Sequence, residues 1–337
     1  MRSFWLFWRR SDVRRVSRGA RSLLALGAVV ALVLAGCGAA APLPPGGHPR
    51  LTSIFMLSPT EGFAAGEGGA IVHYAHGRWD RVDEPTGVDL NGIAMTSPTE
   101  GWAVGLDPAE GKGIILHSSG GRWQVDTSLA TPALRAITLV SPTEGWAVGD
   151  GGTMLHLTGD HWIKAPSPTT ADLMAITMLS PAEGWATGYN LANTPSGGVY
   201  TSVILHFAAG QWSEVDAEVN ARYYGIAATA KDSWLVGSSA QGEGTILYGV
   251  RDIWTPAGGY IPNVLTGVAL VAPAEGWATG YKGAIVHMKA GSWTLMPVPT
   301  RNDLFGIAML SPTEGWAVGD QSVILHFHDG AWRVYGQ

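Results

Sequence analysis

The chain has 337 residues, 46% of them hydrophobic and 14% charged, and its 21 Lys and Arg against 27 Asp and Glu leave a formal net charge of −6. That balance argues against nucleic acid as a partner, and a single Cys excludes a structural disulfide within the chain. With 46 Gly and 20 Pro punctuating short runs of Val, Ile, Leu, Trp and Thr, and no long 3.6-residue apolar period after Arg50, the composition points to an all-β chain.

The first element is a leader. Arg2, Arg9, Arg10, Arg14, Arg15, Arg18 and Arg21 precede an apolar run from Leu23 to Gly36, too short to span a bilayer as a mature helix, so residues 1–36 are predicted to be a signal peptide. The run ends Leu34-Ala35-Gly36-Cys37, which resembles a bacterial lipobox; that resemblance implies lipidation of Cys37 and anchorage to a membrane. Residues 37–50, rich in Pro and Gly, are expected to be a tether. Loss of the leader removes seven Arg and Asp12, leaving 14 basic and 26 acidic residues and a net charge of about −12. A chain so acidic is not expected to adsorb wholesale to anionic lipid. The expected location is the cell envelope, outside the cytoplasm.

From Leu51 to Gln337 one pattern recurs seven times, at its clearest LSPTEGWAVGDQSVILHFHDGAW from Leu310 to Trp332. Each copy is anchored by one aromatic residue: Phe63, Trp102, Trp146, Trp185, Trp234, Trp277 and Trp316. An imidazole or phenol follows (His73, His117, His156, His206, Tyr248, His287, His326), and six residues later a Trp closes the copy. Such recurrence marks a unit that must stack on its neighbours to bury its faces. Each copy parses into four strands, those of the last being 304–309, 315–319, 323–327 and 331–335. Ser-Pro-Thr-Glu turns join first to second, and tight turns around Gly77, Gly210, Asp252, Gly291 or Gly330 join third to fourth, where positive φ is cheap for Gly. Four-stranded antiparallel units around an axis make a seven-bladed β-propeller. The blades are expected at about 51–89, 90–133, 134–172, 173–221, 222–264, 265–303 and 304–337. The centre of each first strand is small (Ser53, Gly92, Ala136, Ala175, Gly225, Gly267, Gly306), as crowding near an axis requires. Since the first and last copies are complete, the ring is expected to close without a strand exchanged between the termini.

The Glu-Gly-Trp-Ala-(Val/Thr)-Gly runs at 100–105, 144–149, 183–188, 275–280 and 314–319 make the chain resemble the photosystem II assembly factor-like propellers of the sialidase-related superfamily, over Leu51 to Gln337. The resemblance implies a noncatalytic scaffold outside the cytoplasm that binds other proteins. The superfamily's Asp box, Ser-x-Asp-x-Gly-x-x-Trp, has no counterpart here; the equivalent HFAAGQW and HMKAGSW are one residue shorter and lack its Ser and Asp. Nor do any positions match the Arg trio and Tyr-Glu pair of sialidase enzymes.

Among repeated polar residues, Glu61, Glu100, Glu144, Glu183, Glu275 and Glu314, with Asp232 in the odd copy, are read as caps for turn amides, since a catalytic site needs asymmetry. The six His of the third strands stand too far apart, blade to blade, for bonds of ~2 Å to one metal ion, and are read as bonding across the blade. The Trp ladders are read as core. No cofactor, metal or catalytic residue is expected. Function is sought where copies differ, in the loops between second and third strands at 106–112, 189–202 and 238–243, which share a face with the entry to each first strand. The candidate binding residues on that variable face are Arg135, Tyr189, Asn190, Tyr200, Tyr223, Tyr224, Tyr260, Tyr281, Arg301, Asp303 and Phe305, a Tyr-rich set with the composition of a binding hot spot. The expectation is a tethered, monomeric scaffold that binds a protein or peptide. A carbohydrate-binding or glycosidase-like propeller, with a glycan as ligand, is the alternative, and a purely structural envelope lipoprotein is a third.

Overall fold

A computed structural model of the protein describes residues 48–337 apart from Glu84, 195–196, 217–220 and Gln337. The leader, Cys37 and most of the expected tether lie outside the described residues. From Leu51 onward, seven sheets of four antiparallel strands follow one another, each sheet built from consecutive strands. In the last blade the strands are Leu304–Ser311, Glu314–Gly319, Ile324–His328 and Ala331–Val334, within two residues of the predicted bounds. The inner strands of neighbouring blades pack side by side in a ring, and Leu304–Ser311 packs on Leu51–Ser58 of the first blade, so the propeller closes by contact between complete blades.

The small residue at the centre of each inner strand has a steric cause. A Cβ on Gly306 would lie 3.1 Å from the Ile54 backbone nitrogen of the first blade, and one on Gly92 would lie 3.2 Å from the nitrogen of Ile137. Where Ser replaces Gly, its hydroxyl is used: Ser53 Oγ accepts the Ile93 N–H of the next blade at 3.2 Å.

Burial falls into seven apolar clusters among the described residues, one at each seam between blades. The anchor Trp of one blade meets the outer-strand Trp of the next edge to face, as in Trp102–Trp162 (5.6 Å, 89°) and Trp146–Trp212 (5.4 Å, 80°), an arrangement that suits the ring quadrupoles. On the anchor's other side lies the third-strand His, stacked at 3.8 Å in Trp102–His117 and 3.9 Å in Trp316–His326.

This stacking corrects the assignment of the repeated Glu. The turn amides are served by the Ser hydroxyl, which accepts from Thr60, Thr99, Thr143 and Thr313 N–H at 3.2 Å. In blades one, two, three and seven the Glu instead holds the stacked His: Nε2 of His117, His156 and His326 lies 2.5, 2.6 and 2.5 Å from Oε1 of Glu100, Glu144 and Glu314, and His73 pairs with Glu61 in the same way. In blades four and six His206–Glu183 and His287–Glu275 stand wider, at 3.8 and 3.4 Å. The antiparallel register explains it. Glu144 stands opposite Thr158, so His156 is its diagonal neighbour on the same sheet face. Blade five has Tyr248 and Asp232 in place of this pair, and there Asp232 accepts from the Thr229 hydroxyl at 2.7 Å.

The outer hairpin turns also bear on the sequence reading. Gly77, Gly210, Gly291 and Gly330 take positive φ, each preceded by a second positive-φ residue (His76, Ala209, Ala290, Asp329), the signature of a type I′ turn. In blade five the left-handed residue is Arg251 and not Asp252. Asp252 is used differently, its Oδ1 lying 2.9 Å from Nδ1 of His206 in blade four.

Candidate functional site

All seven inner strands carry an irregularity at the end where the chain enters them. The ladder skips one residue, as at Leu51/Ser53, Leu173/Ala175, Tyr223/Gly225 and Leu304/Gly306, so a bulge residue projects at the rim of the central opening. These residues are Thr52, Asn91, Arg135, Met174, Tyr224, Thr266 and Phe305. Three of them stitch the ring: Thr52 and Thr266 hydroxyls donate to the Leu90 and Leu304 carbonyls at 2.6 Å, and Asn91 Nδ2 donates to the Leu134 carbonyl at 2.8 Å. Arg135, Tyr224 and Phe305 make no such stitch and belong to a different grouping.

Around them a set of aromatic and basic side chains gathers. Tyr189 stands edge on to Tyr224 (6.0 Å, 83°) and to Tyr200 (5.6 Å, 80°), and the Arg222 guanidinium lies 4.5 Å over the Tyr200 ring. Tyr281 meets Phe305 at 6.2 Å, and the Arg50 guanidinium lies 4.7 Å over Phe305. Tyr281 feels the charges of both Arg50 and Arg222, and Tyr189 those of Arg222 and Arg135, which makes one electrostatically connected surface of the two groups. Burial pushes the Tyr189 and Tyr281 phenols up, so both remain hydrogen-bond donors above neutral pH.

Two of the three central cations are neutralised. Arg135 forks onto Asp150 through Nε at 2.7 Å and Nη2 at 2.8 Å, and Arg50 bonds Asp320 at 2.7 Å with Glu67 at 3.3 Å. These carboxylates hold both guanidiniums above their ordinary pKa. For Arg222 the described residues supply a hydroxyl, Ser238 Oγ at 3.1 Å from Nε, and no ion pair.

Of the candidates from the sequence, the structure joins Arg135, Tyr189, Tyr200, Tyr224, Tyr281 and Phe305. Tyr223 is a correction: it is 0% exposed, packed among Trp185, Ile204 and Leu247, and burial pushes its phenol up to about 12. Its alignment with the buried Leu51, Leu90 and Leu304 carried that signal, and the bulge turns only Tyr224 outward. Asp303 accepts the Lys282 N–H at 2.7 Å, as Asp89 and Asp172 do for Gly68 and Gly151, so it caps the preceding blade's short turn. Asn190 and Arg301 are exposed on the same face, and Tyr260, 77% exposed, stands on the outermost strand of blade five.

Arg50 and Arg222 belong to this candidate surface and are residues that the sequence reading missed. Arg50 was counted with the tether, yet it and Pro49 are held on blade seven, Pro49 oxygen accepting from both N–H and hydroxyl of Ser322 at 2.9 Å. Arg222 occupies the position of the capping Asp in blades two, four and seven, and that break with the repeat was its signal.

The three-dimensional resemblance to other proteins is one of fold. No family model matches the chain, and no curated protein matches it. Among solved structures, YCF48 bound to a D1 peptide is 17% identical with a TM-score of 0.61, over 85% of this chain and 93% of that one. YCF48 from Cyanidioschyzon merolae gives 15% and 0.62 over 85% and 98%, and virginiamycin B lyase from Staphylococcus aureus gives 17% and 0.64 over 81% and 94%. Identities this low leave the chain as a seven-bladed β-propeller similar in fold to a peptide-bound protein and to a lyase alike.

Proposed function

We propose that the protein is a noncatalytic scaffold whose variable face binds a protein or peptide. The observation that carries this is the connected Arg and Tyr surface, which gathers where the blades depart from one another while the opposite face repeats the Ser-Pro-Thr-Glu turn. Large aromatics with few rotatable bonds, set beside Arg, are the side chains that contribute most to interfaces for the least ordering cost. The solved structure of a YCF48 with a D1 peptide supports the reading, because a ring of the same kind holds a peptide there. We also propose that the chain is held at the outer side of a membrane by lipid on Cys37, as the leader and lipobox-like run suggest.

The test is capture. The intact chain and a Tyr189→Ala, Tyr224→Ala, Phe305→Ala variant are used to pull down crosslinked partners from native membranes. The variant is expected to lose a partner that the unaltered chain retains, with its melting temperature lower by only a few degrees, since ~1 kcal/mol shifts a domain of this size by roughly 2–4 °C. Unchanged capture rejects this face as the binding surface. Carboxylate-dependent turnover of a glycoside would reject the noncatalytic part.

A further inference from the structure

We infer that the cleft between blades four and five is a carboxylate-recognition subsite, with Arg222 as the residue that reads the carboxylate of a bound peptide segment; the inference rests on the peptide-binding reading above and sharpens it. The cleft has a volume of about 290 Å³ and is lined by Val199, Tyr200, Ala221, Arg222, Ser238 and Ser239.

 The departures from the repeat converge on it. Blade four replaces the short turn of blades one, three, six and seven with the long hairpin Glu183–Thr194 and Gly197–Ala208, and blade five replaces it with the turn 239–243. Arg222 stands where an Asp would cap that short turn, and with the turn gone the scaffold makes no such demand on the position.

What the side chain does instead is specific. Its guanidinium rests 4.5 Å over the Tyr200 ring, Nε donates to Ser238 Oγ at 3.1 Å, and no carboxylate among the described residues pairs with it. Arg50 and Arg135, on the same face, both have one. An Arg stacked on one ring is held in one orientation, and a planar fork so held matches a carboxylate through paired N–H donors. The Tyr189 ring stands edge on to that of Tyr200 at 5.6 Å and backs it from outside the cleft, and Val199, 46% exposed, offers an apolar lip for a neighbouring side chain. The carboxylate has two sources in a peptide, an Asp or Glu side chain or the free C-terminus.

An array of random octapeptides separates these outcomes, printed with free or amidated C-termini and with or without Asp and Glu, and probed with the full chain. Retained peptides are expected to need a carboxylate, with amidation abolishing retention if the terminus is read and leaving it intact if a side chain is read. Arg222→Gln is expected to weaken the retained peptides by roughly tenfold or more, Arg222→Lys to recover only part of the loss, and Arg122→Gln on the outer strand of blade two to change binding by less than about twofold. Retention that needs no carboxylate and survives Arg222→Gln in a chain of unchanged melting temperature overturns the subsite and leaves peptide binding standing. Retention of no peptide overturns both.

Discussion

Replacing Trp316 with Ala is expected to lower stability by about 3–5 kcal/mol, the range for removing a large aromatic from a packed core. Trp316 is 0% exposed and stands at the seam between the last blade and the first. It is stacked on His326 at 3.9 Å, tilted against Tyr74 at 4.7 Å and Tyr335 at 5.3 Å, and edge on to Trp79 at 5.6 Å. Tyr74 and Trp79 belong to the first blade, so the lost contacts are those that close the ring. Among the described residues no strand crosses this seam, and the packing of the two inner strands and of these side chains is joined there by contacts of Pro49, Arg50 and Tyr335. Urea denaturation followed by Trp fluorescence measures the loss. A change below about 1 kcal/mol would mean that the seam collapses to refill the space, against the rigid packing that the fold requires.

The second large effect is at a glycine. Gly149 ends the second strand of blade three with an extended φ of −170, which any residue adopts, so its identity is a matter of space. A Cβ there would fall within 3.0 Å of the oxygen and carbon of Ala133 and the Cα of Leu134, all backbone atoms that cannot rotate away. Gly66, Gly105, Gly188, Gly237, Gly280 and Gly319 meet the corresponding backbone in their own blades. Gly149→Ala is therefore expected to cost about 2–3 kcal/mol, near the upper part of the range for overpacking. Gly87→Ala, where a Cβ meets nothing within 4 Å, is expected to stay within about 0.5 kcal/mol of the parent. Equal effects at the two positions in thermal or urea unfolding would show that the close approach is not what selects glycine.

Much of the fold was legible because the sequence states it seven times. The anchor aromatic, the Ser before the turn and the small residue mid-strand each recur, and each recurrence has one cause that the coordinates make visible: edge-to-face packing, an amide bonded to a hydroxyl, and a neighbour's backbone 3.1–3.2 Å from where a Cβ would be. The Glu escaped because its partner is fixed by sheet register. His156 lies 12 residues beyond Glu144, and only the pairing of Glu144 with Thr158 brings the two to one face. On the variable face the same limit applied. Tyr223 and Tyr224 are equivalent in composition and opposite in orientation, and a bulge decides between them. Arg50 looked like linker because it precedes the first apolar residue, while its ion pair lies 270 residues away in the last blade.

Hydrogen exchange on the chain alone and with its captured partner tests the division into a uniform and a binding face most directly. Slower exchange on binding is expected at 199–202, 221–224, 238–243 and 281–282, with turns 97–100, 141–144 and 311–314 unchanged. Protection of those turns, with the blade four and five segments exchanging as before, would contradict it.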